Sequence, residues 1–149
     1  MATANRNDPY AQFNFQVKID GITVAGFSEV SGLTTDTNII EYREGSESVG
    51  TVRKLPGLMK YNPLVLKRGW TADNKLWTWR KTVIDGQTQR MTGSIVLLDE
   101  SRSPALTWNF SAGWPSKWEG PALNAKTSEV AIETLEITHE QLELAATSN

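Results

Sequence analysis

Residues 40–69, IEYREGSESVGTVRKLPGLMKYNPLVLKRG, constrain the fold more than any other part of the chain. They complete two extended arms, 38–43 and 51–68, joined by a soft polar tip of Glu44, Gly45, Ser46, Glu47, Ser48, Val49 and Gly50. Alternation marks the arms as strands. Ile40 and Tyr42 share one face, and Ile39, Glu41 and Arg43 share the other; Leu64 and Leu66 oppose Val65 and Lys67. Charges at Arg53, Lys54, Lys60, Lys67 and Arg68 are tolerated in strands with one face on water or on another chain. Pro56-Gly57 is expected to break or bend the second arm. Pro63 is expected to mark an edge or a bulge, because proline has no N–H to give to a ladder.

The flanking sequence supplies the rest of a sheet. In residues 10–20, Phe13, Phe15, Val17 and Ile19 alternate with Gln12, Asn14, Gln16 and Lys18, which is a half-buried strand. Asp20-Gly21 predicts a hairpin turn with a return strand over 21–27. One helix is expected over 74–84, capped by Thr71 or Asp73 and ended by Asp85-Gly86, with Leu76, Trp79 and Val83 packed on the sheet. Residues 91–99 are apolar on both faces, so the strand is central. Residues 105–111 alternate through Leu106, Trp108 and Phe110, and 112–126 read as a long proline- and glycine-rich connection. In the closing strand, 129–144, the apolar phase slips between Val130/Ile132 and Leu135/Ile137, the mark of a bulge. Residues 1–9 and 145–149 are expected to be loose, or arms that order on a neighbour. The pattern predicts a mainly β fold: a small β-barrel or sandwich with one packed helix and two long arms, in one domain over 1–149.

Chemistry is hard to place on this chain. There is no cysteine, which excludes disulfides, thiolate metal sites and cysteine nucleophiles. The single histidine, His139, falls on the apolar face of the last strand and reads as structural. Phosphate-cradling glycine motifs are absent, and zinc would lack ligands. Asp99-Glu100 reads as a strand-ending turn, and Glu41, Glu44 and Glu47 do not form the tuned pair that a glycosidase needs. No catalytic, cofactor or metal site is expected, and the chain is not expected to be an enzyme. A net charge of −2 gives no basic field for nucleic acid. No apolar run approaches the roughly 18 residues of a membrane span, so no membrane anchor is expected. The start, MATANRNDPY, lacks a secretory core, which predicts assembly in the cytoplasm. Six tryptophans suit cores and interfaces. The alternative is a monomeric carbohydrate- or ligand-binding β-module that uses Trp114 and Trp118.

VSGL (residues 30–33), IEYREG (40–45), KLPG (54–57), LVLKRG (64–69), LTWNFSAGWP (106–115) and EVAIETLEITHEQLEL (129–144) occur in the order and spacing of contractile-tail inner tube proteins. Over residues 13–144 the chain resembles the tail tube family of contractile phages, and more closely the tubes of extracellular contractile injection systems. The resemblance implies a barrel with an outer helix, six copies to a ring, and rings stacked into a tube inside a contractile sheath. Neighbouring arms would join into one barrel around a channel, and contraction would drive the tube through a target envelope. The implied partners are further copies of the chain, the sheath protein, baseplate or hub proteins, tube-terminating proteins and cargo in the lumen. Pairing head-to-tail would also cover the hydrogen-bonding edges that projecting arms expose. On this reading residues 44–50 stack rings, Ile40 and Tyr42 pack under the helix, and Ile39, Glu41, Arg43 and Lys67 face the lumen. A type VI secretion ring protein and a baseplate tube adaptor are the tube-like alternatives.

Overall fold

The computed structural model describes residues 14–20, 26–46, 50–69, 74–126 and 130–145. Among these residues nine strands and one helix follow in the order β1 (Phe15–Ile19), β2 (Phe27–Ser31), β3 (Thr35–Tyr42), β4 (Arg53–Tyr61), β5 (Leu64–Gly69), α1 (Lys75–Ile84), β6 (Met91–Leu98), β7 (Pro104–Glu119), β8 (Ile132–Thr138) and β9 (Gln141–Ala145). The fold is mainly β, with antiparallel sheets and one helix, as its alternating sequence predicts.

Seven strands form one sheet in the order β1-β6-β7-β8-β5-β2, with β9 also on β7. The 16-residue β7 serves both halves of this sheet. Its first part pairs with β6 and β9, and its second part, from Trp114, pairs with β8. Ala112 has a left-handed φ of 53° at the changeover. The core lies between the halves. Val17, Ile19, Ile95 and Phe110 come from one half, Leu64, Leu66, Leu135 and Ile137 from the other, and Leu76 and Trp79 from the helix. The Phe110 ring fills the space over Gly93 and Gly113, where a Cβ would approach it to 2.5 Å at either position.

Several expectations need correction. Phe27, the described end of the 21–27 return segment, pairs with Arg68 of β5, and β1 pairs with β6; residues 21–25 lie outside the described ones. The second arm, 51–68, is two strands in two sheets. β4 pairs only with β3 among the described residues, whereas β5 lies in the large sheet, the two being parted at Asn62-Pro63. Pro56-Gly57 does not stop β4; the register shifts there against residues 37–39 of β3. Much of the connection expected over 112–126 is strand as far as Glu119. Pro115 is accommodated beside a register shift against β8, where a missing N–H is tolerated. Finally, β8 carries no slip against β5, and its pairing is regular from Gly69↔Ile132 to Leu64↔Ile137. The buried side is odd throughout, at Glu133, Leu135, Ile137 and His139, while Val130 and Ile132 point outward. The irregularities sit in β7 and between Thr138 and Gln141. Ala145 still pairs with Thr107, so the last strand extends one residue into the expected loose end.

Candidate functional site

β3 and β4 form a two-stranded antiparallel hairpin of their own. Ile40 faces Leu55, Glu41 faces Lys54, and Tyr42 faces Arg53. Directly opposite residues share a face, so each face of this arm mixes apolar and charged side chains. Ile39, Ile40, Tyr42, Leu55, Leu58 and Met59 are all exposed. Ile40 and Tyr42 therefore do not lie beneath the helix as expected. The arm is a separate sheet, and α1 packs against β7 instead.

The root of the arm is tied to the barrel at several points. Gly32 has a φ of +91°, and a Cβ there would stand 2.1 Å from the Pro63 carbonyl oxygen. Only glycine meets both conditions, a left-handed backbone and contact with another main chain. The Thr34 N–H donates to Gly32 O (2.7 Å), and Asn62 N–H donates to Thr34 O (3.3 Å). His139 is buried with Nε2 3.0 Å from Asn62 O and Nδ1 3.2 Å from Gln141 O. Its ring stands between Tyr61 (5.6 Å) and Phe110 (6.1 Å). The lone histidine thus joins the arm's root to the β8–β9 corner.

Other residues singled out in the sequence fall as follows. Ile39 and Glu41 are exposed on β3 and Arg43 just beyond it, whereas Lys67 lies on β5 and pairs with Glu29 at 3.2 Å. The structure does not bring Lys67 together with the other three. Glu44, Gly45, Ser46 and Gly50 are exposed at the tip; Glu47, Ser48 and Val49 lie outside the described residues. Leu76 and Trp79 are buried under α1 and Val83 is half-buried. Trp79 Nε1 donates to Gln89 O (2.8 Å), and Arg80 donates to Pro115 O (3.1 Å). Thr71 and Asp73 lie outside the described residues, and Asn74 holds the cap position. Trp114 is half-buried within β7. Trp118 packs on Trp77 with ring centres 4.8 Å apart and donates Nε1–H to Glu133 (3.0 Å). Trp118 thus serves packing within the chain.

Two features escaped the sequence reading. The first is a buried ion pair: Arg68 Nε donates to Glu133, whose other oxygen accepts from Trp118. The second is a polar face. Lys18, Ser94, Asn109 and Glu143 line up across β1, β6, β7 and β9. Ser94 Oγ donates to Asn109 (2.7 Å), Thr92 Oγ1 to Asp20 (2.8 Å) and Gln141 to Glu143 (2.7 Å). A shallow cleft of about 430 Å³ lies over this face. The periodicity of each strand signalled the outward residues, but their alignment required the register.

Among the described residues no group of three His, Cys, Asp or Glu side chains could hold a metal, and no helix is long and apolar enough to cross a membrane.

Residues 11–143 match the T4-like virus tail tube protein gp19 family. The chain belongs to that family. It is a family of structural tail tube proteins, not of enzymes. Solved structures agree on the fold of this tail tube protein. A chain of the extended sheath–tube complex of the PVC extracellular contractile injection system is 24% identical, with a TM-score of 0.84, over 95% of this chain and 94% of that one. A chain in the tube-terminating cap of the anti-feeding prophage is 22% identical, with a TM-score of 0.87, over 98% and 97%. One in that particle's six-fold-symmetrised baseplate is 26% identical, with a TM-score of 0.82, over 95% and 98%. Hcp1 of Flavobacterium johnsoniae shares the fold less closely, at 12% identity and a TM-score of 0.57, over 91% and 97%. No curated protein sequence matches the tail tube protein.

Proposed function

We propose that this chain is the repeating subunit of the inner tube of a phage tail or contractile injection particle. Copies close into six-membered rings, and rings stack into a hollow tube. A sheath surrounds the tube and drives it through a target envelope, with cargo in its channel. The observation that carries this reading is the β3–β4 arm, which exposes apolar side chains and whose strands pair only with each other among the described residues. Such a surface asks for a partner, and one that differs from the surface receiving it builds rings or filaments. Family membership supports the tube role. The sheath–tube, baseplate and cap assemblies that hold similar chains support sheath, baseplate and terminating partners, and the symmetrised baseplate supports the ring of six.

The polar face of β1, β6, β7 and β9 suits the channel wall. Ser94 and Asn109 bond across β6 and β7, Gln141 bonds Glu143 along β9, and Lys18, Asn109 and Glu143 are exposed to water. Ile39 and Glu41 would extend that wall along the arm. Negative-stain microscopy of concentrated protein tests the reading. Rings or hollow rods are expected; a chain that stays monomeric and never co-purifies with a sheathed particle would overturn it.

A further inference from the structure

The three most exposed large apolar side chains among the described residues are Leu58 (77%), Leu123 (84%) and Val130 (73%). Leu58 stands on the arm beside the register shift of β4, next to exposed Met59 and Lys60. Leu123 and Val130 line an open cleft of about 650 Å³ on the barrel, together with Ile132, Thr134, Lys67 and Glu119.

The arm and the cleft lie at opposite ends of the same strands. The arm leaves the barrel where β2 ends at Ser31 and β5 begins at Leu64, and there Leu64 faces Ile137. At the other end of this ladder Lys67 faces Thr134 and Gly69 faces Ile132. A six-residue strand spans about 17 Å at roughly 3.3 Å per residue, so one copy cannot lay its arm in its own cleft without folding back across the barrel. A second copy, placed end to end, can fill it. The charges fit this occupant. β4 carries Arg53, Lys54 and Lys60, while the cleft offers Glu119, and its lysine, Lys67, already pairs with Glu29 at 3.2 Å.

We propose that the cleft at Leu123, Val130 and Ile132 receives the Leu58–Lys60 segment of a second copy's arm. Apolar side chains then bury against one another while Lys60 approaches Glu119. This contact is heterologous, knob on one pole and socket on the other, so every copy both gives and receives and the assembly propagates. Lys67 is then a subunit-contact residue rather than a channel residue. The proposal rests on the tube reading and names the surface that executes it.

The absence of cysteine makes the test clean. Tubes of the doubly substituted chain Leu58→Cys/Leu123→Cys are oxidised gently and run on a denaturing gel. A covalent ladder extending beyond the dimer is expected, with no ladder from either single variant. Tubes visible by microscopy without a ladder, or a crosslink confined to one chain, would overturn the docking site while leaving the tube reading intact. Wild-type protein that forms no tubes would instead sink the tube reading. A second variant covers failure of the double substitution to assemble. Leu58→Asp should abolish tube formation with an unchanged melting temperature of the dispersed subunit; wild-type assembly by Leu58→Asp overturns the proposal.

Discussion

Replacing Glu133 with alanine should be among the most damaging single changes in the barrel. Arg68 and Glu133 are each only 2% exposed. One Glu133 oxygen accepts from Arg68 Nε and the other from Trp118 Nε1 at 3.0 Å. Hydrogen bonds to a charged group contribute about 1.5–3 kcal/mol each. Losing both, and stranding a buried guanidinium without this counter-charge, should cost about 3–5 kcal/mol. The double replacement Arg68→Met/Glu133→Leu removes both charges at similar volume. It should fall within about 1–2 kcal/mol of wild type, most of the deficit coming from the Trp118 N–H that loses this acceptor. Urea unfolding of the dispersed wild-type, Arg68→Met, Glu133→Leu and doubly substituted subunits, followed by tryptophan fluorescence, gives all four corners of the cycle. The coupling should exceed about 2 kcal/mol. A loss below about 1 kcal/mol for Glu133→Ala, or a double variant that merely adds two losses, would refute the idea that the pair acts as one unit.

Two further changes probe the arm's root and a turn. Gly32→Ala would place a Cβ 2.1 Å from Pro63 O at a φ of +91°; it should cost at least about 2 kcal/mol from strain and crowding together, and a melting temperature equal to wild type would contradict it. Asp99 accepts from Ser101 Oγ (2.7 Å) and from the N–H groups of Ser101 and Ser103 (2.9 Å each). These bonds, the Ser101 hydroxyl first, hold its carboxyl below the usual carboxylate value. A depressed folded value stabilises above the unfolded pKa of about 3.9 and is lost as pH falls through the folded one. The melting-temperature gap between wild type and Asp99→Asn should hold from neutral pH to about 5 and shrink below about 4; a gap unchanged at pH 3 would refute it.

Much of this architecture is written in local periodicity. Phe15, Val17 and Ile19 alternate, Leu76 and Trp79 recur at helical spacing, and their burial follows. Where the sequence misled, a residue with a tertiary role broke the local signal. Glu133 occupies a buried position, so β8 looks as if it slips phase although its ladder is regular; its partner Arg68 is 65 residues away. Pro115 looked like a strand breaker because the register shift that admits it belongs to the pairing with β8. Ile40 and Tyr42 looked like core because their alternation is that of a half-buried strand, and alternation does not say which molecule covers the apolar side. The polar row from Lys18 to Glu143 combines one residue from each of four strands, so it exists only once the register is set.

The fixed origin of the hairpin has a geometric consequence. β4 has nine residues, about 26 Å of strand at roughly 3.3 Å per residue. A tilt of about 10° at its base would swing the far end by about 5 Å, close to one inter-strand spacing of about 4.8 Å. Gly32 against Pro63, and Asn62 against His139, therefore act as the bearing of a lever whose aim is decided where it is shortest. An error of a few degrees made inside the barrel would be read, a nanometre or more away, as a missed target.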